Sequence, residues 1–347
     1  MGGTWTSQNK VLPGTYINFL TNAALSITPG DRGIVVMLQE VSVGTAGEMY
    51  TITATDASEY PSGATAADKL LVNEALKSAK TVILYNLGTS HDSDDITAAL
   101  TALKTVNFNV LCYPYDAATY SANQATIEAW VTSMRDDEGV KIQAVMADYT
   151  ADNEAIINVV QTVTLSDATV LTSEQVTAWV AGATAGANVN QSNTGKLYAN
   201  AVDVERLTKS EMEAAVTAGK FIFKVDSAQN VTAVYDINSL TSYTVAKSNV
   251  FRKNRVIRTI DGINNDIVTI FESSYVGKVN NNDNGRALLR SSLIEYFNAM
   301  QNMQAIQNFT ADDVTVSAGT DSDAVVIDCY IQPVDSIEKI YITVNLT

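Results

Sequence analysis

The chain has 347 residues, 46% of them hydrophobic, and a formal net charge of −16. That composition supports a large folded core with room for two domains and excludes a disordered chain. The acidic balance disfavours nucleic acid and anionic membranes as partners, because both repel a negative surface.

Residues 1–22 read as an extended arm, with a turn at Pro13-Gly14 and a short strand at Thr15-Tyr16-Ile17-Asn18-Phe19. A second turn, Pro29-Gly30-Asp31-Arg32-Gly33, precedes strands predicted over 34–41 and 49–54. Helices over 66–80, 94–104 and 123–136 then alternate with apolar strands over 81–87, 108–113 and 140–147. Strands that are apolar throughout, alternating with helices, imply a parallel sheet covered on both faces. Strands over 156–160 and 168–171 follow, then a helix over 173–184. The Gly/Asn/Ser-rich loop from Gly186 to Gly195 marks a boundary.

The pattern then changes. A strand over 199–206, a helix over 210–218 and a hairpin of 221–226 with 231–235 lead into a long helical region, about 243–276. There Ile257, Ile260, Ile263, Ile267 and Ile270 recur at three- and four-residue spacing. A polar turn over 280–285 precedes a second long helix, 286–306, and strands over 314–316 and 325–331. Pro333 interrupts. Ile340, Ile342, Val344 and Leu346 then alternate with Tyr341, Thr343, Asn345 and Thr347, the period of two that marks an amphipathic strand. The expected fold class is α/β plus α+β. A parallel-type α/β domain covers 23–190 and a C-terminal α+β core domain 191–332, with extended strand arms at 1–22 and 333–347.

The chain offers little for catalysis. His91, the only histidine, reads as a solvated loop residue, since no G-x-S-x-G elbow accompanies it. The loop Tyr85-Asn86-Leu87-Gly88-Thr89-Ser90 has one glycine and no following lysine, which is too few for a phosphate loop. Acidic clusters at Asp92/Asp94/Asp95, Asp136/Asp137/Glu138 and Asp312/Asp313 match no calcium loop, and the first fits a helix N-terminus. Cys112 and Cys329 have neither a disulfide framework nor metal spacing. The first residues carry no basic-then-apolar signal, and no apolar run approaches the ~20 residues that span a bilayer. No catalytic residue, metal ligand or cofactor is assigned.

One charged segment stands out. Lys247, Arg252, Lys253, Arg255 and Arg258 cluster in an otherwise acidic chain. On a helix, Lys247, Arg255 and Arg258 point away from the isoleucine stripe. They are either a solvated face or a positive patch that docks on an acidic partner. The terminal segments also have two readings. Each closes the sheet of its own domain, or pairs with the sheet edge of another copy by strand addition.

The segment Gly3-Thr4-Trp5-Thr6-Ser7-Gln8-Asn9-Lys10-Val11-Leu12-Pro13-Gly14-Thr15-Tyr16-Ile17-Asn18-Phe19 resembles the N-terminal arm of tail sheath proteins from contractile phages and R-type phage-tail-like bacteriocins of Gram-positive bacteria. Phe251-Arg252-Lys253-Asn254-Arg255-Val256-Ile257-Arg258 is similar to the start of a long helix in that family, and Asn284-Gly285-Arg286 to its helix-to-helix turn. Asp335-Ser336-Ile337-Glu338-Lys339-Ile340-Tyr341 resembles its C-terminal strand. The resemblance covers the whole chain in order, and implies a compact sheath without the extra outer domains of large phage sheaths.

The resemblance implies a structural subunit, not an enzyme. Its copies stack as hexameric rings in a helical sleeve around an inner tail tube, with baseplate and tail terminator proteins at the ends. A baseplate trigger then contracts the sleeve and drives the tube through a target envelope. The resemblance also implies a particle made in a bacterial cytoplasm and released by lysis. Tyr16, Ile17 and Phe19 of one arm, and Ile340, Ile342, Val344 and Leu346 of the other, link neighbouring subunits. Lys247, Arg255 and Arg258 are the candidate tube contact. The contrasting reading is a cytosolic α/β enzyme or nucleotide-binding protein, which needs a ligand-binding set at the strand ends that the sequence does not show.

Overall fold

The computed structural model describes residues 2–3, 15–16, 32–55 and 58–345. Gly2–Gly3 (β1) and Thr15–Tyr16 (β2) pair in parallel, Gly3 opposite Tyr16. Ile17, Phe19 and Leu346 of the predicted arms lie outside the described residues.

The body is a mixed α/β sheet built from Ile34–Gln39 (β3), Met49–Ile52 (β4), Thr81–Asn86 (β5), Val110–Tyr113 (β6), Gln143–Ala147 (β7), Ile156–Val159 (β8) and Lys220–Phe221 (β12). Its order is β12-β8-β7-β6-β3-β5-β4, parallel throughout except for the antiparallel edge strand β4. Alternation within β3 explains why the strand is apolar throughout. Val35 and Met37 face one core with Ala66–Leu76 (α1) and Ser173–Gly186 (α4). Val36 and Leu38 face the other with Ser93–Leu103 (α2) and Ala117–Asp136 (α3). All four side chains are fully buried.

Local signals start these helices. Thr65 caps α1 in a reciprocal box with Asp68, and Asp92 caps α2 by accepting from the Asp94 and Asp95 N–H groups. Helix α3 begins six residues before the predicted start, because Asp116 caps it through the Thr119 N–H. The α1–α4 contact depends on glycine. A Cβ on Gly182 would overlap the Ala75 carbonyl, and one on Gly186 the Ser78 carbonyl.

The loop after α4 does not end the sheet, because β12 rejoins it from beyond residue 190. Val163–Leu165 (β9), Val170–Leu171 (β10) and Ala201–Val204 (β11) form a small antiparallel sheet. The predicted hairpin is Phe223–Val225 (β13) with Val231–Ala233 (β14), and it follows Lys209–Thr217 (α5).

The long helix predicted over 243–276 is shorter than expected. Residues 249–252 are a single 3-10 turn, Lys253 is extended, and the α-helix α6 spans Asn254–Ile270 before a π-type turn at 271–275. Asp283–Asn302 (α7) packs on it through Leu289, Leu293, Tyr296 and Phe297, which meet Ile263, Ile267 and Ile270. Ile306–Gln307 (β15) pairs with Gln332–Pro333 (β18), and Val314–Ala318 (β16) with Val325–Cys329 (β17), both antiparallel. The predicted strand over 340–346 is not formed: residues 340–345 have no strand structure.

Candidate assembly interface

The carboxy-terminal segment leaves the fold in two stages. Its root is held. After β18, the Val334 N–H donates to the Ala305 carbonyl at 2.9 Å. Lys253 Nζ lies 3.2 Å from Asp335 and donates to Glu338 more closely still. Thr194 and Ser192 donate their hydroxyls to the same Glu338 carboxylate at 2.7 and 3.3 Å, and Arg255 Nη1 donates to Ser336 Oγ at 2.7 Å. Lys253 also stands 4.3 Å from the centre of the Tyr235 ring. Burial alone would lower its pKa, but the Glu338 and Tyr235 contacts outweigh burial and raise it above the ordinary lysine value.

Beyond Glu338 the chain is exposed. Ile340 is 73% exposed, Ile342 78% and Val344 76%. This alternating row of β-branched residues has no sheet partner among the described residues.

Open edges are also present. The β16–β17 hairpin is two-stranded among the described residues, so each strand pairs on one side only. Its inner face packs on α7 through Val314, Val316 and Ile327. A cleft of about 480 Å³ runs between β17 and the α6–α7 turn, lined by Phe271, Tyr275, Val279, Leu289, Val325 and Ile327. Unpaired edge groups of the hairpin and an apolar lining therefore lie side by side.

The structure corrects the expected positive patch. Lys247 is partly exposed and pairs with Glu154 at 2.5 Å. Arg255 is buried, and Arg258 has no exposed surface. Arg258 donates to the carbonyls of Thr184 (3.2 Å) and Gln191 (2.6 Å) and lies 3.5 Å from Asp236. Arg255 and Arg258 do point away from the isoleucine stripe, but that side faces the body and not water, and Lys247 lies outside the helix altogether. Helix α6 is clamped there again by Arg135, whose Nη1 and Nη2 reach the two Asp261 oxygens at 2.7 and 2.9 Å. Burial alone would lower the Arg135 pKa, yet Asp261 keeps it raised. Asn265 accepts from the Lys141 N–H at 2.9 Å and donates to the Lys141 carbonyl at 2.8 Å.

His91 is a second correction. It is buried, not solvated. Its Nδ1 is 2.7 Å from Glu40 and its Nε2 2.8 Å from the Tyr113 hydroxyl, and its ring stacks on Tyr120 at 4.7 Å. The group sits at the carboxyl ends of β3 and β6, where strand order reverses and α/β sheets commonly bind ligands. Here His91, Glu40, Tyr113, Tyr115 and Tyr120 pack together in that position.

Sequence reasoning missed Lys253, Asp335 and Glu338 as a unit. The signal available was a pair of acids between Pro333 and the alternating run, opposite a cationic segment, with nothing to link segments some eighty positions apart.

Comparison with known proteins gives a consistent result. Residues 32–87 match the N-terminal region of domain III of the tail sheath protein Gp18, 90–239 the phage tail sheath central domain, and 246–347 the phage tail sheath C-terminal domain. The solved sheath tail protein of Desulfitobacterium hafniense is 36% identical, with a TM-score of 0.82 over 95% of this chain and 99% of that one. The tail sheath protein of Clostridium phage phiCD119 is 30% identical over 69% of this chain and 65% of its own length. The contracted helical sheath of the anti-feeding prophage shares the fold, with a TM-score of 0.74 at 15% identity over 97% of this chain and 100% of that one. The chain spans 56% of the length of the two Bacillus subtilis proteins it also matches.

Proposed function

The chain belongs to the phage tail sheath family, whose members are structural and not enzymatic, and we propose that it is the subunit of a contractile sheath. Copies stack as hexameric rings around an inner tail tube, and contraction drives the tube through a cell envelope. The observation that carries this reading is the exposed alternating run Ile340–Val344, with the period of a strand but no sheet, in a molecule whose β16–β17 hairpin has open edges among the described residues.

Donation between copies satisfies both. One strand forms about 4–6 backbone hydrogen bonds at roughly 1 kcal/mol net each. A single joint is modest, but many tethered joints make a durable sleeve. The N-terminal segment with Tyr16, Ile17 and Phe19 serves as a second arm. For assembly we divide the chain into an α/β body, a C-terminal unit and two arms, with the body–unit division near 239–246, where the family matches part, because β12 belongs to the body sheet. Baseplate and terminator proteins at the sleeve's ends are the further partners, and a phage tail or phage-like particle the location. Of the expected tube contact, Lys247 is the accessible cation, whereas Arg255 and Arg258 are buried.

The test is electron microscopy of the purified protein. The expected result is hollow cylinders, lost when residues 333–347 are removed while circular dichroism remains that of the folded subunit. A monomeric protein at high concentration, or cylinders from the truncated chain, overturns the reading.

A further inference from the structure

We propose that Lys253 and Glu338 form a latch that fixes the root of the carboxy-terminal arm, so that the donated strand begins at Lys339 and not at Pro333. The inference rests on the strand-donation reading and adds a positioning element to it.

The geometry separates two kinds of backbone within fifteen residues. Residues 333–338 are tied to three different parts of the fold: β15 through Pro333 and Val334, the start of α6 through Lys253 and Arg255, and the 192–194 loop through Glu338. From Lys339 to Asn345 every described residue is exposed. Glu338 is the last tied residue and the most heavily used, since its carboxylate accepts from Lys253, Ser192 and Thr194. Its side chain is nearly buried, as is that of Lys253, so water screens the pair weakly.

The latch sets reach and entropy. A hinge at Pro333 in place of one after Glu338 would free six more residues, 333–338, and add ~20 Å of reach at ~3.3 Å each. A shorter, aimed tether restricts the neighbours that the strand reaches. It also raises the strand's effective concentration at the correct edge. Residues 334–338 are ordered before assembly, so pairing does not bear the cost of ordering them.

The test compares wild type with K253Q, E338Q, K253R and a chain ending at Glu338. Two quantities are measured: the critical concentration for polymer formation, and amide exchange over 334–338 in the soluble subunit. The thermal midpoint controls for folding. Both glutamine variants are expected to speed exchange at 334–338 on the order of tenfold and to raise the critical concentration similarly, with an unchanged midpoint. K253R retains a cation at the site and is expected to stay near wild type. If K253Q does not fold, E338Q decides, because it leaves the Lys253–Asp335 pair in place. Wild-type exchange and wild-type polymerisation in E338Q, with the truncated chain unable to polymerise, overturn the latch and leave strand donation standing. Polymers from the truncated chain overturn donation itself, and the latch with it.

Discussion

Strand β3 and the arm after Glu338 are both rich in β-branched and aliphatic residues, yet they meet opposite fates. In β3 the residues from Val35 to Leu38 are fully buried, because α1 and α4 cover one face and α2 and α3 the other. In the arm, Ile340, Ile342 and Val344 lie open, because no element of the described chain covers them. The body covers its own strands, whereas the alternating residues of the arm have no cover among the described residues. Propensity is therefore shared between the two regions, and only the supply of a packing partner separates folding from assembly.

Substitutions sharpen this contrast. The largest effect is expected for Val36→Asp, which buries a charge between sheet and helices and should cost more than ~4 kcal/mol, enough to abolish the urea transition. Ile342→Asp makes a similar chemical change in the arm, and should leave the transition within ~0.5 kcal/mol of wild type while cylinders disappear from micrographs. Equal behaviour of the two variants in either assay would break the comparison.

Next is the α6–body clamp. Arg135→Ala leaves Asp261 buried without its partner and should cost ~3–5 kcal/mol in denaturant unfolding. Arg258→Glu should lower stability as well as any tube binding, because Arg258 is internal. Stability unchanged by Arg258→Glu would restore a surface role. Gly182→Val should cost on the order of 1–3 kcal/mol through overlap with the Ala75 carbonyl.

The smallest expected effect is a pH dependence. Burial would raise the Asp68 pKa, but hydrogen bonds from Ser42 and Thr65 outweigh it and lower it from 3.8 to about 2. Stability from this carboxylate is therefore present above its unfolded value and is lost as pH falls from 3.8 towards 2. Asp68→Asn should flatten acid unfolding in that window and leave the slope above pH ~5 unchanged, as followed by circular dichroism.

Much of the fold was legible from pattern. Apolar runs separated by helical periods mark the parallel sheet, and Asp92 and its neighbours mark a helix start, whereas the alternation after Pro333 forms no strand in the described subunit. Errors arose where a feature depended on what lay opposite. The helix over 243–276 is too long as an expectation, because the isoleucines suggest one unbroken period while the irregular stretch before residue 249 and the extended Lys253 interrupt it. His91 looked solvated because Glu40 and Tyr113, which hold it, are distant in sequence. The sign of a charged stripe gives no information about whether water or a carbonyl faces it, and so Arg258 was placed outside.

By itself the sequence determined the local periods, and with them a two-sided sheet, an isoleucine-faced helix and an alternating terminal run, because side-chain direction follows backbone geometry within a few residues. The tertiary structure alone decided which of these would be covered. Burial and ion pairing are settled by groups distant along the chain, so Arg258 became internal, Lys253 met Glu338, and the terminal run was left exposed without a partner among the described residues.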